Sequence, residues 1–265
     1  MENILKNKKL FLLDMDGTIY NDNTLFDGTV EFLDYIEKTG GEYIFITNNS
    51  SKSVEDYVNK LSKMGIKVSK DNFFTSTMAT AMYLKDNFKN KKIYCMGTKS
   101  FVRELKEFGI DTTVSKNDNP DVVVVAFDTE LTTQKLNDTC ELLFTGLPFI
   151  ATNPDRSCPV EFGFIPDCAA ICEAIYFATK RRPVFIGKPK PDMINYAVEK
   201  SRFSNDDAVV IGDRLYTDIA SGINAEVTSI MVLSGESTLE DIEKENIHPD
   251  FVFKDVKEIV EFLKK

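Results

Sequence analysis

Short apolar runs alternate with stretches of helical spacing along this chain. Strand-like segments fall at 9–13, 42–47, 183–187 and 207–212, and helical ones at 28–38, 51–64 and 191–201. Leu10 to Leu13 and Ala208 to Ile211 are continuous apolar runs rather than alternating ones, as expected of strands covered on both faces. Strands alternating with helices predict a parallel sheet with crossover helices. A second set of elements, strand-like at 91–96, 121–126 and 148–152 and helical at 99–108, 132–144 and 168–180, interrupts the first.

If both faces of the sheet are covered, polar chemistry belongs at strand ends, where open parallel sheets bind ligands. Three such ends stand out: Asp14-Met15-Asp16-Gly17-Thr18, Thr47-Asn48-Asn49-Ser50, and Gly212-Asp213-Arg214 running on to Thr217-Asp218. A fourth polar site, Gly187-Lys188-Pro189, follows Pro183 to Ile186 and precedes a helix. Asp14 and Thr47 are 33 positions apart, enough for one loop and one helix, whereas Thr47 and Lys188 are 141 apart. An accessory domain must therefore occupy the second gap. The expected division is a core of 1–80 plus 183–265 with 81–182 inserted.

Composition narrows the classes. A hydrophobic share of 43% with 28% charged residues is ordinary for a globular protein, and no apolar run approaches the ~20 residues of a membrane span. The N-terminus lacks a signal-peptide cleavage pattern, so a cytoplasmic location is the default expectation. The net charge of −10, with Lys and Arg dispersed, argues against a nucleic-acid polymer as partner. Five cysteines, Cys95, Cys140, Cys158, Cys168 and Cys172, are odd in number and lack C-x-x-C spacing, so free thiols are expected rather than disulfides or a zinc site. The single histidine, His248, precedes Pro249 in a polar loop, which rules out catalysis by a histidine pair.

Asp14 and Asp16 share a turn that Gly17 makes permissive, and Asp213 ends another strand of the same sheet. Two such charges ~4 Å apart repel by about 4 kcal/mol at an effective dielectric near 20. A divalent cation removes that penalty, and an incomplete all-oxygen site that also takes substrate phosphate suits Mg²⁺. Lys188 and the backbone N–H groups after Thr47, at the start of a helix capped by Ser50 or Ser51, would face the phosphate. Asp14 could then attack phosphorus in line, with Asp16 giving a proton to the leaving group and later taking one from water. Singly, each feature has a plainer reading: a calcium loop or solvated turn for Asp14 to Thr18, a helix cap for the Thr47 run, a surface lysine for Lys188. Four of them in this order point to phosphate-ester chemistry.

These four sites resemble the four motifs of the haloacid dehalogenase superfamily, most nearly its NagD-like or 4-nitrophenylphosphatase-like branch, and Ala151-Thr152-Asn153-Pro154-Asp155 adds to the match. The resemblance spans nearly the whole chain. It implies a Rossmann-like doubly wound α/β core with an inserted α/β cap domain, and a phosphatase acting on a small phosphorylated metabolite. Asp14 would be nucleophile and Mg²⁺ ligand, and Asp16 acid/base and metal ligand through its carbonyl. Thr47, Asn48 and Asn49 would hold the phosphate, Lys188 would pair with Asp14 and the phosphate, Asp213 would bind the metal, and Asp218 would support it. In the cap, Asn153, Asp155 and Asp167 are the expected substrate contacts, and an exposed cap surface could support a homodimer. The second aspartate, Asp16, separates phosphate transfer from dehalogenation. One departure is Pro166-Asp167-Cys168-Ala169-Ala170, where relatives often carry Pro-Gly-x-Gly.

Two other functions compete. A phosphomutase of this superfamily would carry its insertion between the first two motifs, where 33 positions leave little room. A phospho-aspartate signalling domain would need roughly half this length.

Overall fold

Leu10–Leu13, four large apolar residues without a polar break, forms a strand with every side chain buried. Burial of side chains of this size contributes ~1.5–3 kcal/mol each relative to exposure, enough to fix this segment inside whatever sheet forms. The computed structural model describes residues 2–265, with side chains from residue 4 onward. Among these residues a six-stranded sheet runs in the order Phe251–Phe253, Thr228–Val232, Ala208–Gly212, Leu10–Leu13, Glu42–Thr47, Phe73–Thr75. Leu10 lies opposite Ala208 on one side and Glu42 on the other, both pairings parallel; Val209 faces Thr228 and Ile230 faces Phe251, also parallel.

The first three strands of this sheet, in chain order, step outward from Leu10–Leu13 in one direction, and the last three step outward in the other. Strand order thus reverses between Leu10–Leu13 and Ala208–Gly212. That reversal opens a crevice beyond the carboxyl ends of the two strands, where doubly wound sheets bind their ligands. Asp14 and Asp213 are the residues that follow those ends. The crossover helix Thr29–Lys38 turns Phe32, Leu33 and Ile36 to the core.

The chain divides into two compact units, Met1–Thr47 with Val58–Phe74 and Lys188–Lys265, and Asn48–Tyr57 with Thr75–Gly187. The second unit has its own parallel sheet, in the order Val184–Phe185, Phe149–Ala151, Val122–Val125, Ile93–Met96, Thr112–Thr113. Met96, Val123, Val125, Phe149, Ile171 and Ile175 form its core with the helices Thr133–Phe144 and Cys168–Thr179. The strand expected at 183–187 belongs to this sheet, so the first unit resumes at Lys188 rather than at 183. All five cysteines are free, and burial pushes the Cys95 thiol up to about 12. No helix among the described residues is long and apolar enough to cross a membrane.

The helix expected at 51–64 spans Val54–Lys63. Its cap is Ser53, not Ser50 or Ser51: the N–H and hydroxyl of Ser53 donate to Asp56 Oδ2 at 2.8 and 2.7 Å, and Asp56 N–H returns to Ser53 Oγ at 3.3 Å. This reciprocal arrangement satisfies end groups that the helix cannot pair internally. Ser50 instead bonds Thr152 Oγ1 at 2.8 Å and accepts the Phe127 N–H at 3.0 Å.

The N–H of Val54 donates to Glu104 Oε1 at 2.9 Å, while Glu104 Oε2 is buried with no hydrogen-bond partner among the described residues. Burial pushes this carboxyl from its usual 4.5 up to about 7; Glu107 and Asp56 add to the rise, while the Val54 N–H and Arg103 oppose it. The folded state therefore binds this proton more tightly than the unfolded chain. The contribution to stability is complete below the unfolded value and is lost as pH rises toward 7. Glu104→Gln is accordingly expected to be more stable than the native chain by up to about 3 kcal/mol at pH 8, the gap closing near pH 4.5. Urea unfolding at the two pH values checks this, and an equal gap at both contradicts it.

Candidate active site

Asp14 enters the crevice because its N–H continues the ladder of the central strand, donating to Ile211 O at 2.8 Å. Its side chain is mostly buried, and Oδ1 accepts from Lys188 Nζ at 2.6 Å. Lys188 also donates to Asp218 Oδ1 at 2.5 Å and to Ile46 O at 3.0 Å. Burial by itself would lower the Lys188 pKa, but attraction to Asp14 and Asp218 and the hydrogen bonds to both prevail and hold it above its usual value. Asp14 moves the other way. Burial and the charge of Asp218 raise its carboxyl well above the ordinary range against the pull of Lys188, and Asp213 adds to the rise.

Asp218 reaches Lys188 through a local irregularity. Leu215–Ile219 is a π-helical turn in which Ile219 N–H donates to Arg214 O at 3.2 Å. Such wide turns recur at functional sites because they carry a side chain where a regular helix would not. The turn buries Asp218, which also accepts the Arg214 N–H at 3.1 Å.

Asp213 is held from several sides. Glu236 N–H donates to its Oδ2 at 2.7 Å and Thr18 Oγ1 to its Oδ1 at 3.3 Å, while its carbonyl accepts the Ser237 N–H at 3.1 Å. A Cβ added at Gly17 would lie 2.5 Å from Asp213 Oδ2, and one at Gly235 2.0 Å away. Both glycines are therefore required by the close approach of this carboxylate, and Gly17 also has φ +89°. Ser234 Oγ donates to Gly17 O at 2.7 Å, tying the same loop to the Asp14 turn. Burial and the charge of Asp218 raise the Asp213 carboxyl to about 7, opposed by the Glu236 N–H.

Carboxylate oxygens of Asp14, Asp213 and Asp218 all lie within 4.8 Å of one another. One ammonium cannot neutralise three carboxylates, so without a further cation the cluster resists full ionisation, as the raised values of Asp14 and Asp213 reflect. Hard oxygen donors at this spacing fit a divalent cation. Asp16 stands apart from that cluster: its Oδ2 accepts from the Tyr20 hydroxyl at 3.2 Å.

Thr47 is the last, buried residue of its strand. The residues after it belong to a loop, since the helix begins only at Val54, so the N–H groups following Thr47 are not helix-terminal as expected. Asn48 is buried, its amide donating to Asp155 Oδ1 at 3.0 Å and its carbonyl accepting from Ser76 Oγ and Asn153 Nδ2, each at 2.7 Å. Asn49 Oδ1 accepts the Ser51 N–H at 3.0 Å. Asn153 and Asp155 are thus buried partners of Asn48 within the second unit. Asp167, also buried, caps Cys168–Thr179 by accepting the Cys168 N–H.

Sequence reasoning missed Ser234 to Ser237. The available signal was the apolar run from Ile230 to Leu233 ending in Ser-Gly, the same kind of strand end that marked the other sites.

Residues 11–111 match the family described as haloacid dehalogenase-like hydrolase, and residues 185–259 match one described as HAD-hydrolase-like. An acid sugar phosphatase of Staphylococcus saprophyticus is 37% identical over 262 residues, 98% of this chain and 100% of that protein. The crystal structure of 4-nitrophenylphosphatase from Thermotoga maritima is 40% identical with a TM-score of 0.92, covering 97% of this chain and 98% of that one. NagD from Escherichia coli K-12 is 34% identical with a TM-score of 0.84, covering 95% and 97% respectively.

Proposed function

Because the chain belongs to the haloacid dehalogenase-like hydrolases, in their NagD-like branch, and is a phosphoric monoester hydrolase, we propose that it hydrolyses a small sugar phosphate through phosphorylation of Asp14, with Mg²⁺ as its metal. The observation that carries this reading is the Lys188 ammonium held between Asp14 and Asp218 at 2.6 and 2.5 Å.

Lys188 fixes Oδ1 of Asp14, so that the other oxygen is turned toward phosphorus. As Asp14 attacks in line, the bond to the leaving oxygen breaks and that oxygen takes a proton from Asp16. Water then attacks the phosphorus of the acyl phosphate and gives its proton to Asp16, which restores both carboxyl groups. Thr47 and the peptide groups of Asn48 and Asn49 hold the phosphate oxygens. Asp14 and Asp213, the carbonyl of Asp16 and the supporting carboxylate of Asp218 would hold Mg²⁺, which when bound supplies the positive charge that a phosphate dianion needs among these carboxylates. The sugar-phosphate class is favoured by the 37% identical acid sugar phosphatase, and 4-nitrophenyl phosphate serves as the artificial substrate.

Phosphate release across a panel of phosphorylated sugars, nucleotides and carboxylic acids is the test. Turnover of at least one sugar phosphate in Mg²⁺ is expected, falling by ~100-fold or more on chelation and returning when Mg²⁺ is restored. A rate indifferent to chelation would overturn the metal assignment, and a panel led by nucleotides would overturn the substrate class.

A further inference from the structure

Tyr20 lies six positions beyond Asp14, at the start of the small hairpin Tyr20–Asn21 and Thr24–Leu25. Its side chain is fully buried, and its main chain closes the turn that carries Asp16, with Gly17 N–H donating to Tyr20 O at 2.9 Å. Its hydroxyl donates to Asp16 Oδ2 at 3.2 Å. On the face of the same ring, Lys60 Nζ stands 3.6 Å from the centroid. Packing accounts for the ring but not for this polar arrangement, since phenylalanine fills the same space. A cation over the ring draws electron density from the phenol and makes its O–H a stronger donor.

We propose that Tyr20 is a positioning residue for the proton-transferring carboxyl of Asp16, and that Lys60 strengthens its hold. The proposal rests on the reading of Asp16 as acid and base. Bound at Oδ2, the carboxyl carries its transferable proton on Oδ1. As the bond from phosphorus to the leaving oxygen breaks, that oxygen keeps the electron pair and takes the proton from Oδ1. Tyr20 retains its own proton. Its hydrogen bond becomes charge-assisted as Asp16 turns into a carboxylate, so it strengthens as the reaction advances, which is the condition for assisting the step rather than merely the bound state.

The experiment uses the full chain with phenyl phosphates of graded leaving-group acidity, from 4-nitrophenyl to 4-methoxyphenyl phosphate, reading kcat/KM through the first phosphoryl transfer. An acidic phenol departs without a proton, whereas a weakly acidic one needs it. Tyr20→Phe is expected to lose roughly 10-fold more kcat/KM on 4-methoxyphenyl than on 4-nitrophenyl phosphate. Lys60→Met is expected to steepen the dependence in the same direction by a few-fold, and it carries the test if Tyr20→Phe fails to fold. Asp16→Asn is the reference and should steepen it most. Equal losses across the series in Tyr20→Phe, with Asp16→Asn steep, would reduce Tyr20 to a structural residue and overturn the proposal alone. A flat response in Asp16→Asn would overturn the acid and base reading and the proposal with it.

Discussion

Asp14→Asn is expected to cut phosphate release by ~10,000-fold or more while leaving the fold intact, because asparagine keeps the shape of the side chain and removes the oxygen proposed as nucleophile. The carbonyl of the new amide can still accept from Lys188, and burial favours a neutral group where Asp14 is pushed well above its usual range. The two effects together predict an inactive variant that melts no lower than the native chain. Steady-state phosphate release and a thermal melt on the same preparation check this. Activity within 10-fold of native, in a folded protein, would mean that another group attacks phosphorus.

Lys188→Met is expected to damage both activity and stability. The ammonium serves Asp14, Asp218 and the Ile46 carbonyl at 2.6, 2.5 and 3.0 Å, in a buried position. Methionine fills much of the space but leaves two carboxylates facing each other without a counter-charge. Breaking a buried pair from one side costs ~3–5 kcal/mol. The penalty has a sign in pH. Carboxyl groups whose folded values are raised bind protons more readily than in the unfolded chain, so the destabilisation is largest at neutral pH and shrinks as pH falls toward 5. A divalent cation that binds the folded state should restore part of the loss. Urea titrations at pH 7.5 and 5, with and without Mg²⁺, follow all three trends. A native midpoint at pH 7.5 would show that the pair contributes nothing to stability.

Much of this was legible in the residues. Leu10 to Leu13 and Ala208 to Ile211 announced themselves as doubly covered strands because nothing polar interrupts them, and the acids at their ends could then only converge. The gap between Thr47 and Lys188 is too long for a structureless loop, and Thr75–Gly187 lies within one compact unit. The strand Phe73–Thr75 and helix Ser76–Asn87 were not foreseen. That helix buries Ser76, Thr77, Ala79, Thr80, Ala81 and Leu84 together, so it shows no single apolar stripe to read.

The site's finer construction was hidden for a different reason. Asp218 could be named, but its approach to Lys188 depends on one widened turn at Leu215–Ile219, which no residue pattern specifies. Ser234 to Ser237 carries no lysine, and its one acid, Glu236, pairs with Arg214 at 2.9 Å; the loop acts through main-chain N–H groups, the Ser234 hydroxyl and the smallness of Gly235. Asn153 and Asp155 were recognisable as a motif, yet their burial around Asn48 makes them supports for the loop after Thr47. Serine spacing alone could not tell which serine caps the following helix, because Ser50, Ser51 and Ser53 can all accept from a helix end. Ser53 does so because Asp56 lies three positions on, where it can reciprocate.

In the proposed reaction Asp14 takes the phosphoryl group before water does, and the stereochemical course at phosphorus tests this most directly. A phosphorothioate monoester made chiral at phosphorus with two oxygen isotopes, hydrolysed in water of the third, should give chiral inorganic thiophosphate with net retention, since attack by Asp14 and then by water each invert once. Net inversion would mean a single displacement by water and would contradict a covalent Asp14 intermediate.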